Sequence, residues 1–114
     1  MQVETIGKTR VGFHEGSIAS EADAIDMIGA CYGLEVDLLA VPVAGFAEDF
    51  FRLRSGLAGA VLQKVQNYGL RIAIIGDISR FTEASSALRD FVHESNRGGQ
   101  TLFVTDRAAL EARL

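Results

Sequence analysis

Ser55 occupies the position in this chain where chemistry is most readily placed. It precedes Gly56 and Leu57 at the start of a strongly amphipathic stretch and follows the acidic and aromatic run Glu48-Asp49-Phe50-Phe51. The first turn of a helix carries unpaired N–H groups and the positive end of the helix dipole. A hydroxyl there can cap the helix, bind an anion or carry a phosphate. As a plain N-cap, Ser55 would contribute about 1 kcal/mol through a bond to the N2 or N3 amide. As a modification site it would place an added charge of about −1.5 to −2 beside Arg54. A second group of polar side chains, Asp77, Ser79 and Arg80, follows an apolar run, and Thr105-Asp106 follows another. In open α/β sheets, ligands bind beyond the carboxyl ends of the strands, so these residues are candidates to line a crevice. The competing reading is a solvated turn in which Asp77 or Ser79 bonds to nearby amides.

Other reactive side chains are isolated. His14 and His93 lie far apart and have no ligand-like spacing to each other, to Cys31 or to a carboxylate, so no metal site is expected. Cys31, beside Tyr32 at a helix end, reads as a small buried hydrophobe rather than a nucleophile. No G-x-G-x-x-G follows an apolar run, and Arg54 and Leu53 before Ser55 do not make a G-x-S-x-G elbow. No cofactor is implied.

The elements that must carry these residues alternate along the chain. Residues 2–6 and 9–14 are rich in β-formers and are separated by Gly7-Lys8, a hairpin signal. Ser20 precedes Glu21, Ala22 and Asp23 in a near capping box, which predicts a helix over 20–32 with Gly33 as its stop. Val36–Val41 is a nearly continuous apolar run and reads as a buried strand closed by Pro42. Residues 44–54 fit a short helix or an irregular turn. Their phenylalanines Phe46, Phe50 and Phe51 read as core. Leu57, Ala58, Val61, Leu62, Val65 and Tyr68 share one face of a helix over 55–68. Its other side shows Gly56, Ala60, Gln63 and Asn67, with Lys64 beside them. Gly69 ends this helix and Leu70–Ile75 forms the next strand. A helix follows over 82–95 with Leu88, Phe91 and Val92 inward, and Asn96 as an αL terminator. Glu94 and Arg97 are placed to form a surface pair of little energetic weight. A strand at 102–104 and a C-terminal helix capped at Thr105-Asp106 complete the order. Strands alternating with helices imply parallel pairing with right-handed crossovers, and the N-terminal hairpin adds an antiparallel edge. The expected fold is α/β, a single-layer mixed, mainly parallel sheet with about four helices, in one domain spanning 1–114.

Bulk properties limit the functions available. The chain has 114 residues, 48% of them hydrophobic, with one proline and one cysteine, enough to fill a core without staples. A net charge of −4 argues against sequence-independent nucleic-acid binding, which needs a cationic surface. No apolar run has the length of a membrane span, and the N-terminus lacks a signal-peptide core. A cytoplasmic protein without membrane or nucleic-acid partners is the expectation.

The block DFFRLRSGLAGAVLQKVQNYGLRIAIIGD, with ESNRGGQTLFVTD after it, resembles a bacterial family of small domains of unknown function. That resemblance covers most of the chain and implies an α/β domain without supplying an activity. The turn Arg54-Ser55-Gly56-Leu57, the turn Tyr68-Gly69-Leu70-Arg71 and the Leu102-Phe103-Val104 strand with its final helix are also similar to sulfate-transporter and anti-sigma-factor-antagonist (STAS) domains. In antagonists of that family a serine at the matching helix start is phosphorylated, and this switches partner binding. The resemblance implies that role for Ser55. The chain departs from the motif, with Leu53 at the acidic position and Arg54 at the intervening serine. The first expectation is therefore a regulatory or protein-interaction domain using Ser55 and the surface of Arg54, Gly56, Ala60, Gln63, Lys64 and Asn67. Its partner would be another protein or a second copy, joined through the Gly56/Ala60 stripe or the N-terminal edge strand. The alternative is a small-molecule-binding domain or small enzyme using the crevice at Asp77, Ser79, Arg80 and Asp106.

Overall fold

The two apolar runs expected to be buried strands lie at the centre of the sheet, where both faces are covered. A computed structural model describes residues 1–114. Its strands are β1 (Gln2–Ile6), β2 (Thr9–Phe13), β3 (Leu38–Pro42), β4 (Arg71–Ile75) and β5 (Thr101–Val104), paired in the order β1-β2-β3-β4-β5. β1 is antiparallel to β2 across the Gly7-Lys8 turn, and β2 to β5 run parallel. The helices are α1 (Glu21–Gly29), α2 (Leu57–Asn67), α3 (Ser79–Ala84), α4 (Ser86–Gly98) and α5 (Arg107–Arg113). None is long and apolar enough to cross a membrane.

Alternation along the strands divides the interior into two layers. Leu39, Val41, Ile72, Ile74 and Phe103 face α1, α2 and α4, meeting Met27, Val61, Val65 and Leu88. Their neighbours Leu38, Ala40, Ala73, Leu102 and Val104 face the other way and meet Leu110 of α5. The parallel strands are added in one direction, so right-handed crossovers put α1, α2 and α4 on one side. Only the last helix, which is not a crossover, reaches the other side.

Helix ends differ from expectation where side chains compete for the backbone. Ser20 caps α1, accepting from the Asp23 amide at 3.2 Å, while the Asp23 carboxylate accepts from the Ala19 amide at 2.8 Å. The helix expected over 82–95 is two helices, giving five in all. Ser85 is extended (φ −147, ψ 111) and its hydroxyl accepts from the Leu88 amide at 3.1 Å, so α4 starts afresh. Asn96 is not a terminator but lies inside α4, which ends at Gly99 with φ +82. Tyr68 is not inward: α2 ends at Asn67, and the residue is 64% exposed. Asp106 alone, not Thr105, caps α5, accepting from the Ala109 amide at 2.8 Å. Cys31 is half-buried against the main core, and desolvation raises its thiol pKa.

Between β3 and α2 the chain makes three separate 3-10 turns, at Val43–Gly45, Glu48–Phe51 and Leu53–Ser55. They drive Phe46, Phe50 and Phe51 into the main core, with the Phe46 and Phe50 rings 4.3 Å apart. This segment sets the position of Ser55.

Candidate functional site

The hydroxyl of Ser55 holds two parts of the chain together. It donates to the Asp49 carbonyl at 2.5 Å and accepts from the Leu57 amide at 3.2 Å. Ser55 is not the N-cap residue. It closes the last 3-10 turn, and Gly56, left-handed at φ +77, takes the cap position. The reason is steric: the chain must reverse between the turn and the helix, and glycine enters that region without a Cβ penalty. The hydroxyl still satisfies one orphan amide of α2, the first rather than the second or third. Ser55 remains exposed.

The other residues expected on the α2 surface are only partly free. Lys64 reaches Glu21 of α1 at 3.5 Å and its side chain is 34% exposed. Gln63 donates to Asn67 at 2.8 Å, so these two polar groups satisfy each other. Ala60 is half-buried, while Gly56 is open. Arg54 is exposed and takes part in no ion pair.

The opening beside Ser55 includes Arg54 but none of Gly56, Ala60, Gln63, Lys64 and Asn67. A groove of about 780 Å³ runs between residues 48–55 and the α3–α4 junction. Arg52, Arg54, Ser55 and Arg80 line it, together with Glu48, Phe51 and Phe81. Arg80 was expected in the crevice at the strand ends. It is found here instead, bonded to Glu48 at 3.0 Å with its guanidinium 4.0 Å above the Phe81 ring. Its place at the start of α3 turns it outward from the sheet.

The crevice itself exists at the carboxyl ends of β4 and β5. It encloses about 470 Å³ and includes Asp77, Ser79 and Thr105. Asp106 does not line it, because its carboxylate is engaged in capping α5. Asp77 accepts from the Ser79 amide at 2.8 Å, and this bond lowers its pKa. The carboxylate is thus tied to its own turn. Sequence reasoning missed Arg89, His93 and Asn96 on the opposite wall, which α4 brings in. Their spacing of three and four was the available signal: all lie on one stripe of that helix. No three of the His, Cys, Asp and Glu side chains come together as a metal-binding group.

A model of the family described as a domain of unknown function, DUF4180, matches residues 8–114. The chain therefore belongs to that family, in keeping with the resemblance read from its two specific blocks. No curated protein and no solved structure matches the chain.

Proposed function

We propose that this member of the DUF4180 family is a regulatory or protein-interaction domain whose docking surface centres on Ser55, with phosphate on that serine as the switch. One observation carries the reading: an exposed hydroxyl ties the Glu48–Phe51 turn to the first amide of α2 and lies beside an arginine without an acidic partner. A phosphate on Oγ removes the proton donated to the Asp49 carbonyl. It also sets about −1.5 to −2 of charge against Arg54. Both effects alter the groove that Ser55 lines. The STAS resemblance supports the reading through element order: β3, a turn at Ser55-Gly56-Leu57, α2, a glycine turn, β4, helix, β5 and a last helix. The missing acid of the motif weighs against a close mechanistic parallel. Asp49, the nearest acid upstream, meets Ser55 through its carbonyl and not its carboxylate.

The test compares wild type, Ser55→Asp and Ser55→Ala in binding to proteins captured from the native extract, with mass spectrometry of the bait for phosphate. The switch predicts weakened or redirected binding for Ser55→Asp and near-normal binding for Ser55→Ala. Equal affinities for the two variants remove it.

The crevice at the ends of β4 and β5 favours a second reading as a ligand-binding domain, since its volume of about 470 Å³ is that of small-molecule sites. A thermal-shift screen of anionic metabolites, repeated with His93→Ala, tests it. A shift that the variant abolishes supports a ligand there.

A further inference from the structure

The groove beside Ser55 reverses the sign of the molecule. The chain as a whole carries −4, yet three arginines and one carboxylate frame this opening. Glu48 is held between Arg80 at 3.0 Å and Arg52 at 3.5 Å, and Arg52 also reaches Asp49 at 3.1 Å. Arg54 has no acidic partner, so the cluster keeps positive charge uncompensated. Between the arginines the lining is apolar: Leu53 and Phe81 are half-buried, and Ala84 and Ala87 are exposed. Phe51 is 4% exposed and stacks on Phe81, with centroids 4.5 Å apart and planes at 14°.

We propose that this groove docks an acidic segment of a partner protein that carries one aromatic or large apolar anchor. The proposal rests on the reading of the chain as an interaction domain and names the chemistry of the partner. Charge complementarity selects carboxylates: Arg54 is free to form a bidentate pair, and Arg80 is already oriented by the ring beneath it. The apolar lining selects an anchor. A small free anion would use the arginines and leave Leu53, Phe81, Ala84 and Ala87 uncovered, whereas a peptide side chain covers them and removes apolar surface from water. A groove of about 780 Å³ is at the large end of small-molecule sites and accommodates several side chains. The outer face of α2 is not needed, because its polar groups are already paired.

Fluorescence anisotropy with the full chain tests this, using a labelled Glu-Glu-Phe-Glu-Glu peptide as the probe. Lys-Lys-Phe-Lys-Lys and Glu-Glu-Gly-Glu-Glu serve as controls. The expected result is that the acidic aromatic peptide binds best and that its affinity falls with added salt. Arg54→Glu, at an exposed position without a native ion pair, weakens it about tenfold or more while the circular dichroism spectrum stays unchanged. Phe81→Ala removes the preference for phenylalanine over glycine in the probe. The proposal is overturned by any one of three results: no binding of the probe, equal binding of the basic peptide, or an affinity indifferent to Arg54→Glu. Equal binding of the glycine peptide, with full displacement by inorganic phosphate, also overturns it in favour of a free-anion site. The two proposals fail separately. Peptide binding that depends on Arg54 stands even where Ser55→Asp and Ser55→Ala behave alike. A working Ser55 switch stands even where the peptide does not bind.

Discussion

At the scale of single residues, small polar side chains do structural work that composition alone does not reveal. Ser55 is one case. Its hydroxyl makes two bonds at an exposed junction, so Ser55→Ala is expected to lower stability by about 1 kcal/mol, read as a shift in the urea midpoint at constant slope. Asn96 is the other. Its carboxamide donates to the Phe103 carbonyl at 3.2 Å and accepts from the Phe103 amide at 2.8 Å. It thereby behaves as one residue of a further strand against β5, which is an edge of the sheet. Edge strands with open N–H and C=O groups invite pairing with another chain. Asn96→Ala should cost about 2 kcal/mol, since both backbone groups lose a partner. It should also promote self-association, seen by light scattering across a concentration series. A monomer of unchanged stability would contradict both expectations. The caps at Ser20 and Asp106 were legible in the sequence because a cap and its target amide lie three residues apart. Asn96 was not, because its partner is brought near only by the fold and the adjacent Gly98-Gly99 offered a simpler explanation.

Secondary-structure elements were readable where one period dominated and unreadable where two competed. Leu57, Ala58, Val61 and Val65 repeat at helical spacing, and α2 follows them closely. Residues 44–54 give conflicting signals, with Phe46, Phe50 and Leu53 fitting one helical face and Phe51-Arg52-Leu53-Arg54 alternating like a strand. Three separate 3-10 turns resolve the conflict, since the extended residues Phe46, Ala47 and Arg52 between them keep any single period from running through the segment. The α3–α4 break was hidden for the opposite reason. Ala84, Leu88 and Phe91 lie four and three apart, so the apolar spacing continues across a real interruption at Ser85. The first 3-10 turn also constrains the exit from β4. Gly76 has φ +143, and a Cβ there would lie 2.9 Å from the Val43 side chain. Gly76→Ala is expected to destabilise by about 1–3 kcal/mol, because it combines backbone strain with a clash. Val43→Ala in the same chain should restore only part of that loss, because it removes the Cγ2 contact but keeps the Val43 Cβ at 3.0 Å and leaves the dihedral unchanged. Thermal denaturation of the single and double variants measures how much of the loss the Cγ2 contact accounts for.

For the whole molecule, alternation of strands and helices announced a mainly parallel sheet, but no local pattern specifies that each new strand joins next to the last. That order follows from long-range pairing, and it decides which residues meet at the carboxyl ends of β4 and β5. The same long-range geometry brings the last helix to the first strand. Arg107 forms a two-pronged pair with Glu4 at 2.9 and 3.0 Å, and this hydrogen bonding lowers the pKa of Glu4. The bond to Ser79 likewise lowers that of Asp77, and partial burial of His14 lowers its imidazole pKa. In all three cases the unfolded chain binds protons more readily than the folded one, so acidification favours unfolding. The windows differ. His14 withdraws stability as pH falls from its ordinary value of 6.5 toward its lower folded value. Glu4 and Asp77 withdraw theirs below 4.5 and 3.8, as the folded carboxylates take up protons. Urea midpoints measured from about pH 8 to about pH 3 should therefore fall in two stages. His14→Gln should flatten the upper stage alone. Glu4→Gln should shrink the lower stage and leave the upper one in place, because only the clamp between α5 and β1 has lost its titrating group. A wild-type midpoint that stays level through the upper window would show that the environment of His14 does not discriminate between its charged and neutral forms.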